Sequence, residues 1–442
     1  TKSHPVSFRI NTSQVTHKII VKMEENTMTD TTEKSNKPNN NLFDFATSEL
    51  SQDAFLCWSL NWLGVKEDTE DPYYKYGKAM LDLFLGEYKK DTYKEVKVLK
   101  QFNKIDVLVL FKDNNDNQYA LIIEDKTNTS EHNEQIKKYK EQLNDELSKR
   151  HDIKYRNLAE NQIYTTYVKT GIMYTDDKFK ANESTVIIDI NNLHDVISKH
   201  VGLCKSDIIL DYYEYIKKGI NYRHGVEDSI NNGEFESRIT DGYGQLYFLN
   251  CLFGEPEQQY IGNSHTDPTN GKNKKVYINN IYTGTSGGSR WTQFCFWGEQ
   301  FPNPILDSNV NEFHYLFWRI DCSNHKILER TSGKCITLKY YDENIINNKK
   351  LKVSDELSQE KHEQIRIRNR QIYKALISYT KQLKSKYPNF IFVPYEYNDS
   401  NDDVKEKLLL SIPLAELQKI NLEQCKEMMN DIKTSFIRFF KN

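Results

Sequence analysis

Two apolar runs flanking one turn constrain this chain more than any other feature. Residues 104–111 read KIDVLVLF, residues 118–126 read QYALIIEDK, and DNNDN (113–117) lies between them. Such runs are strands, and the Asp/Asn link is turn chemistry. A nearly continuous apolar pattern belongs to strands covered on both faces. The pair therefore predicts a central sheet flanked by helices. Into it the sequence places Asp106, and then Glu124, Asp125 and Lys126. A carboxylate in such a strand costs several kcal/mol unless something compensates it.

Residues two apart in a strand share a face, so Glu124 and Lys126 point one way and Asp125 the other. A hairpin closed around DNND sets Asp106 beside Glu124. Two carboxylates and one ammonium then converge at an edge of the sheet. Hard cations such as Mg²⁺ take oxygen ligands, commonly one or two carboxylates plus water and phosphate. A metal so held lowers the pKa of bound water and neutralises phosphodiester charge, and a nearby lysine orients that water or stabilises the phosphorane. The backbone carbonyl of Asp125 is a further candidate metal ligand. A salt-bridged hairpin end accounts for the same three residues, because E-x-K is common in a lysine-rich chain.

The next helix favours the chemical reading. Gln135 and Tyr139 are spaced i, i+4 on one of its faces and can reach back to the strand ends. Gln135 suits a water or a phosphate oxygen, and Tyr139 suits hydrogen bonding or stacking on nucleic acid. Lys137, Lys138 and Lys140 flank them as phosphate contacts or as an ordinary solvated face.

The order is a helix with Glu49, a strand with Ile105-Asp106, a strand ending Ile123-Glu124-Asp125-Lys126, and a helix with Gln135-x-x-x-Tyr139. It resembles the PD-(D/E)XK nuclease superfamily, in its RecB-like branch. The resemblance covers residues 45–215. Ile105 stands where the superfamily's name has proline, and no four-cysteine cluster is present. It implies a restriction-endonuclease-like α/β fold with a mixed central sheet, Mg²⁺ or Mn²⁺ as cofactor, and nuclease activity, with DNA favoured over RNA. Glu49 would join Asp106, Glu124 and Asp125 around the metal, although Asp53 lies one turn further on. Endonuclease work in restriction or antiviral defence follows by the same likeness. Two other readings stay open: an RNase using this site, and a non-catalytic nucleic-acid-binding scaffold.

Around the hairpin, helices are expected over 43–64 (capped by Thr47 or Ser51), 76–88, 131–149, 192–200 and 206–217. Further strands are expected at 93–99, 167–174 and 185–190. The segment 1–41 reads as disordered, with Met23 or Met28 as a possible start, and 42–220 as the nuclease core. Residues 221–442 form an α+β region, either an accessory domain or an elaboration of the core. Its helices are placed at 243–253, 354–386 and 414–440. Its strands are placed at 275–282, 290–297, 313–320, 335–340, 390–394 and 408–412. In it, Arg290 and Trp291 beside GTSGGS form a candidate stacking or phosphate surface, weighed against a plain hairpin. A homo-oligomer or protein partner would use this half. His314 reads as a core residue, and His132 as a surface one.

Composition sets the remaining bounds. The chain has 442 residues and a formal charge of −3, so nucleic-acid contact must rely on local patches rather than a basic surface. Its seven cysteines form no C-x-x-C pair, which argues against a zinc ribbon, an iron–sulfur cluster or a disulfide framework and suggests a reducing, cytoplasmic setting. No run is apolar enough for a membrane span, and residues 1–22 lack a signal-peptide core.

Overall fold

The hairpin forms as its pattern requires. In the computed structural model β2 (Ile105–Lys112) pairs antiparallel with β3 (Gln118–Lys126), with Val107 opposite Ile123 and Lys112 opposite Gln118. The Asp113 carboxylate closes the turn by accepting the Asn115 and Asn117 amides at 2.8 and 3.0 Å. The structure describes residues 40–127, 135–174, 177, 185–254, 259–266, 273–286, 289–302, 311–321, 334–342, 359–392 and 406–441. The expected disordered segment therefore lies outside the described residues, apart from its last two positions, and His132 lies outside them too.

β1 (Lys94–Phe102) flanks β2 antiparallel, while β4 (Ile163–Lys169) and β5 (Thr185–Asp189) extend the sheet from β3 in parallel, in the order β1-β2-β3-β4-β5. Parallel pairing needs a crossover, and α3 (Gln135–Ser148) lies between β3 and β4 in the chain. The fourth strand was expected at 167–174 and begins four residues earlier. Helices α1 (Glu49–Val65) and α2 (Pro72–Leu85) cover one face, over Val107, Val109, Leu121 and Ile123. α3 covers the other, over Leu108, Leu110, Ala120 and Ile122. Asp71 caps α2 by accepting the Tyr73 amide, with Pro72 in the first turn. The expected cap of α1 is corrected: Ser48 holds the N-cap position and makes no side-chain cap bond, because its hydroxyl bonds that of Ser51 at 2.9 Å.

α4 (Ile190–Ser198) and α5 (Asp207–Asn231) complete this half. α5 runs well past the expected end at 217. Gly219 lets it pass closely over Ile190, whose Cδ1 would lie 3.2 Å from an added Cβ. Ile209, Tyr212, Ile216 and Ile220 enter the first core, and Val226 and Ile230 enter the second. Position 220, the expected domain boundary, thus falls inside one continuous helix.

The second half holds α6 (Gly242–Phe253), α7 (Gln359–Lys386), α8 (Leu422–Lys441) and an antiparallel five-stranded sheet. The strands β8 (Asn280–Ser286), β9 (Ser289–Pro302), β10 (Asn311–Asp321), β11 (Cys335–Asp342) and β12 (Glu406–Pro413) follow the order β12-β11-β10-β9-β8. A separate hairpin pairs β6 (Gln259–Thr266) with β7 (Asn273–Ile278). The single strand expected at 275–282 is two, broken at Asn279 with φ of 52°. Of the strand expected at 390–394, one bridge from Phe392 to Ser411 is present, and 393–394 lie outside the described residues. The architecture is mixed α/β, with one mixed and one antiparallel five-stranded sheet. Among the described residues no helix is long and apolar enough to cross a membrane, and the cysteines are free thiols.

Candidate functional site

Continued one step past the Val107–Ile123 pair, the β2–β3 register sets Asp106 opposite Glu124. Both then share the α3 face with Lys126. The Lys126 ammonium lies 2.6 Å from Glu124 Oε1 and 3.4 Å from Asp106 Oδ2. It also donates to the backbone carbonyl of Asp125 at 3.0 Å. The two carboxylate oxygens are therefore no farther apart than the two ion-pair lengths together. Glu124 is 1% exposed. Burial lowers the Lys126 pKa, but Glu124, Asp106 and Glu49 outweigh it and hold the amine well above its ordinary range. Lys126 is thus an ammonium at neutral pH.

Glu49, at the first turn of α1, accepts the Thr127 amide at 3.3 Å just beyond β3. Gln135 donates to the Tyr139 hydroxyl at 3.3 Å. Burial, then the charges of Glu124 and Asp106, push the Tyr139 pKa up. The structure therefore brings Glu49, Asp106, Glu124, Lys126, Gln135 and Tyr139 to one end of the sheet. Lys137 and Lys138 are exposed. Lys137 and Lys140 line a cavity of about 410 Å³ between α3 and β4, where Lys140 lies 3.6 Å from Glu160. Arg290 and Trp291 stand on β9 and are engaged there. Arg290 donates to the Tyr174 hydroxyl at 3.2 Å, and the Arg319 guanidinium covers the Trp291 ring at 4.6 Å. His314 is 4% exposed and bonds the Tyr340 hydroxyl.

Asp125 points to the opposite face, as the strand period requires, and meets residues that the sequence reading passed over. Gln52 on α1 donates to Asp125 Oδ1 at 2.5 Å, while the Gln52 carbonyl accepts Thr170 and Tyr212 hydroxyls at 2.8 and 3.2 Å. Asp53, on the same buried face of α1, lies close enough to Asp125 for their charges to interact, and one oxygen of each, Asp53 Oδ1 and Asp125 Oδ2, is buried without a hydrogen-bond partner among the described residues. The two residues are 1% and 0% exposed. A signal for this pair existed: Gln52 and Asp53 fall on the helix face of Phe55, Leu56, Ser59, Leu60 and Leu63, which is the buried one.

Two buried carboxyls that feel each other's charge cannot both ionise cheaply. Burial, then the charge of Asp106, pushes Asp53 up to about 6. Burial, then the charges of Asp53 and Asp106, holds Asp125 well above the carboxylate range against the Gln52 hydrogen bond. An aspartate whose folded pKa is raised stabilises the fold at pH below its unfolded value, and that stability is lost as pH rises through 6. Asp53→Asn removes the loss. The difference in unfolding free energy between variant and wild type should move in the variant's favour by up to about 3 kcal/mol from pH 4 to pH 7.5. A difference that does not change with pH contradicts it. Compared with protein-family models, with curated proteins and with solved structures, the chain finds no match in any of the three.

Proposed function

We propose that this chain is a metal-dependent nuclease of the PD-(D/E)XK type, built on a restriction-endonuclease-like sheet and acting on DNA. One observation carries the reading: a cation, the Lys126 ammonium, sits among Asp106 Oδ2, Glu124 Oε1 and the Asp125 carbonyl at 3.4, 2.6 and 3.0 Å. Two carboxylates and a carbonyl are a hard oxygen donor set, which suits Mg²⁺ or Mn²⁺. Among the described residues no three His, Cys, Asp or Glu side chains gather as a metal cage; Mg²⁺ needs none, since it keeps several waters. When bound, such an ion acidifies a coordinated water and offsets phosphodiester charge.

The chain's own groups divide the remaining work. Asp106, Glu124 and the Asp125 carbonyl would hold the ion, with Glu49 beside them. Lys126, being charged, donates hydrogen bonds to the phosphate oxygens as negative charge builds there. Tyr139, braced by Gln135, would position the substrate. Lys137, Lys138 and Lys140 contact flanking phosphates. The test incubates the purified protein with single-stranded DNA, double-stranded DNA and RNA, with Mg²⁺, Mn²⁺ or EDTA. DNA cleavage that needs the metal is expected. Cleavage of RNA alone would overturn the substrate class. No cleavage together with no Mn²⁺ binding by calorimetry would overturn the enzyme and leave a binding protein.

A further inference from the structure

Gln101 lies near the end of β1, and its backbone has φ of 53°. Asn103 and Lys104 follow with φ of 48° and 75°. A glutamine in the left-handed region is uncommon, and such a conformation persists when its surroundings over-determine it. Here its side chain bridges two carboxyls. Gln101 Nε2 donates to Asp53 Oδ2 at 2.8 Å and to Asp106 Oδ1 at 3.2 Å. Asp53 is the fixed end of that bridge, since it is 1% exposed and lies on the buried face of α1.

The consequence falls on Asp106. Its Oδ2 accepts the Asp125 amide at 3.0 Å and lies 3.4 Å from Lys126. With Oδ1 tied to Gln101, both oxygens of this partly exposed carboxylate are fixed, and its plane is set with Oδ2 toward Glu124 and Lys126. We propose that Gln101 is a positioning residue for Asp106, tying it to the buried Asp53 of α1 at the edge of the sheet. The inference rests on the reading of Asp106 as a metal ligand. Partners of this kind, behind a metal ligand, typically change metal affinity by 10–100-fold.

The test measures Mn²⁺ binding by calorimetry and by electron paramagnetic resonance, for the wild type, Gln101→Asn and Gln101→Leu. Gln101→Asn is the decisive variant. Asparagine accepts the left-handed backbone more readily than glutamine, so the fold and the thermal transition are retained. Its amide is one methylene short of spanning the two carboxyls. The positioning role therefore weakens Mn²⁺ binding about tenfold in Gln101→Asn and at least as much in Gln101→Leu. It also lowers kcat at subsaturating metal while leaving KM for the nucleic acid unchanged. A purely structural role leaves Gln101→Asn with wild-type affinity, and that result overturns the inference. Wild-type protein that binds no Mn²⁺ would instead overturn the metal-site reading beneath it.

Discussion

On the proposed reading, Lys126→Ala should lower DNA cleavage by roughly 10²–10³-fold, the usual effect of removing one donor that serves developing phosphate charge. Glu124→Gln lowers it further, because it removes an oxygen charge from the set that would hold the ion. Each variant also carries a second signature that comes from the cation position itself. The Lys126 ammonium offsets Glu124, which is 1% exposed, and Asp106 beside it. Removing one partner of a buried ion pair typically costs 3–5 kcal/mol. Lys126→Ala should therefore melt well below wild type in EDTA. Millimolar Mg²⁺ or Mn²⁺ should restore much of that loss, since a cation that binds only the folded state stabilises it by an amount that grows with the logarithm of its concentration over its Kd. Glu124→Gln leaves less charge to offset, so its melting temperature should respond little to metal. Differential scanning calorimetry with and without metal, run beside the cleavage assay, separates the two. Cleavage surviving both substitutions would remove these residues from the chemistry. A metal-independent melting temperature in Lys126→Ala would remove the cation position.

The hairpin was legible because strand period and turn chemistry are local: Asp113 closes its own turn, and the register then forces Asp106 opposite Glu124. Gln135 and Tyr139 were legible for the same reason, being one helical turn apart on the helix that follows β3. Gln101 was not. Nothing near it in sequence marks a positive φ, and its anchor, Asp53, lies far back in the chain. The Gln52–Asp125 bond also spans two elements, and only the apolar company of Gln52 and Asp53 along α1 hinted at it. The second sheet shows the same limit, since the pairing of β11 with β12 crosses a long intervening segment that includes α7. The 25 residues of α5 were read too short, because its apolar stripe changes partner midway from one core to the other.

Lys169→Met should cost about 3–5 kcal/mol in unfolding free energy, more than the loss of an exposed surface ion pair. Lys169 sits on β4 beside Lys126 in the parallel register. Its ammonium meets Asp177 Oδ2 at 2.5 Å, with the two side chains 1% and 0% exposed. Asp177 also accepts the Tyr167 hydroxyl at 3.1 Å and the Tyr174 amide at 2.9 Å. Without Lys169 the carboxylate keeps those two donors but loses its counter-charge in a site closed to water. Lys75 and Glu70 give the contrast: they lie 2.6 Å apart, but their side chains are 50% and 80% exposed. Lys75→Met should change stability by less than about 1 kcal/mol. The origin of the Lys169 penalty can be isolated by adding Asp177→Asn to Lys169→Met. Asparagine still accepts from Tyr167 and Tyr174 but carries no charge, so the double variant should recover a large part of the loss. Chemical denaturation of the wild type, Lys169→Met, Asp177→Asn and the double variant measures the coupling. If the penalty came from packing around the lysine stem, the second substitution would recover nothing, and Lys169 would be a spacer rather than the counter-charge of a buried carboxylate.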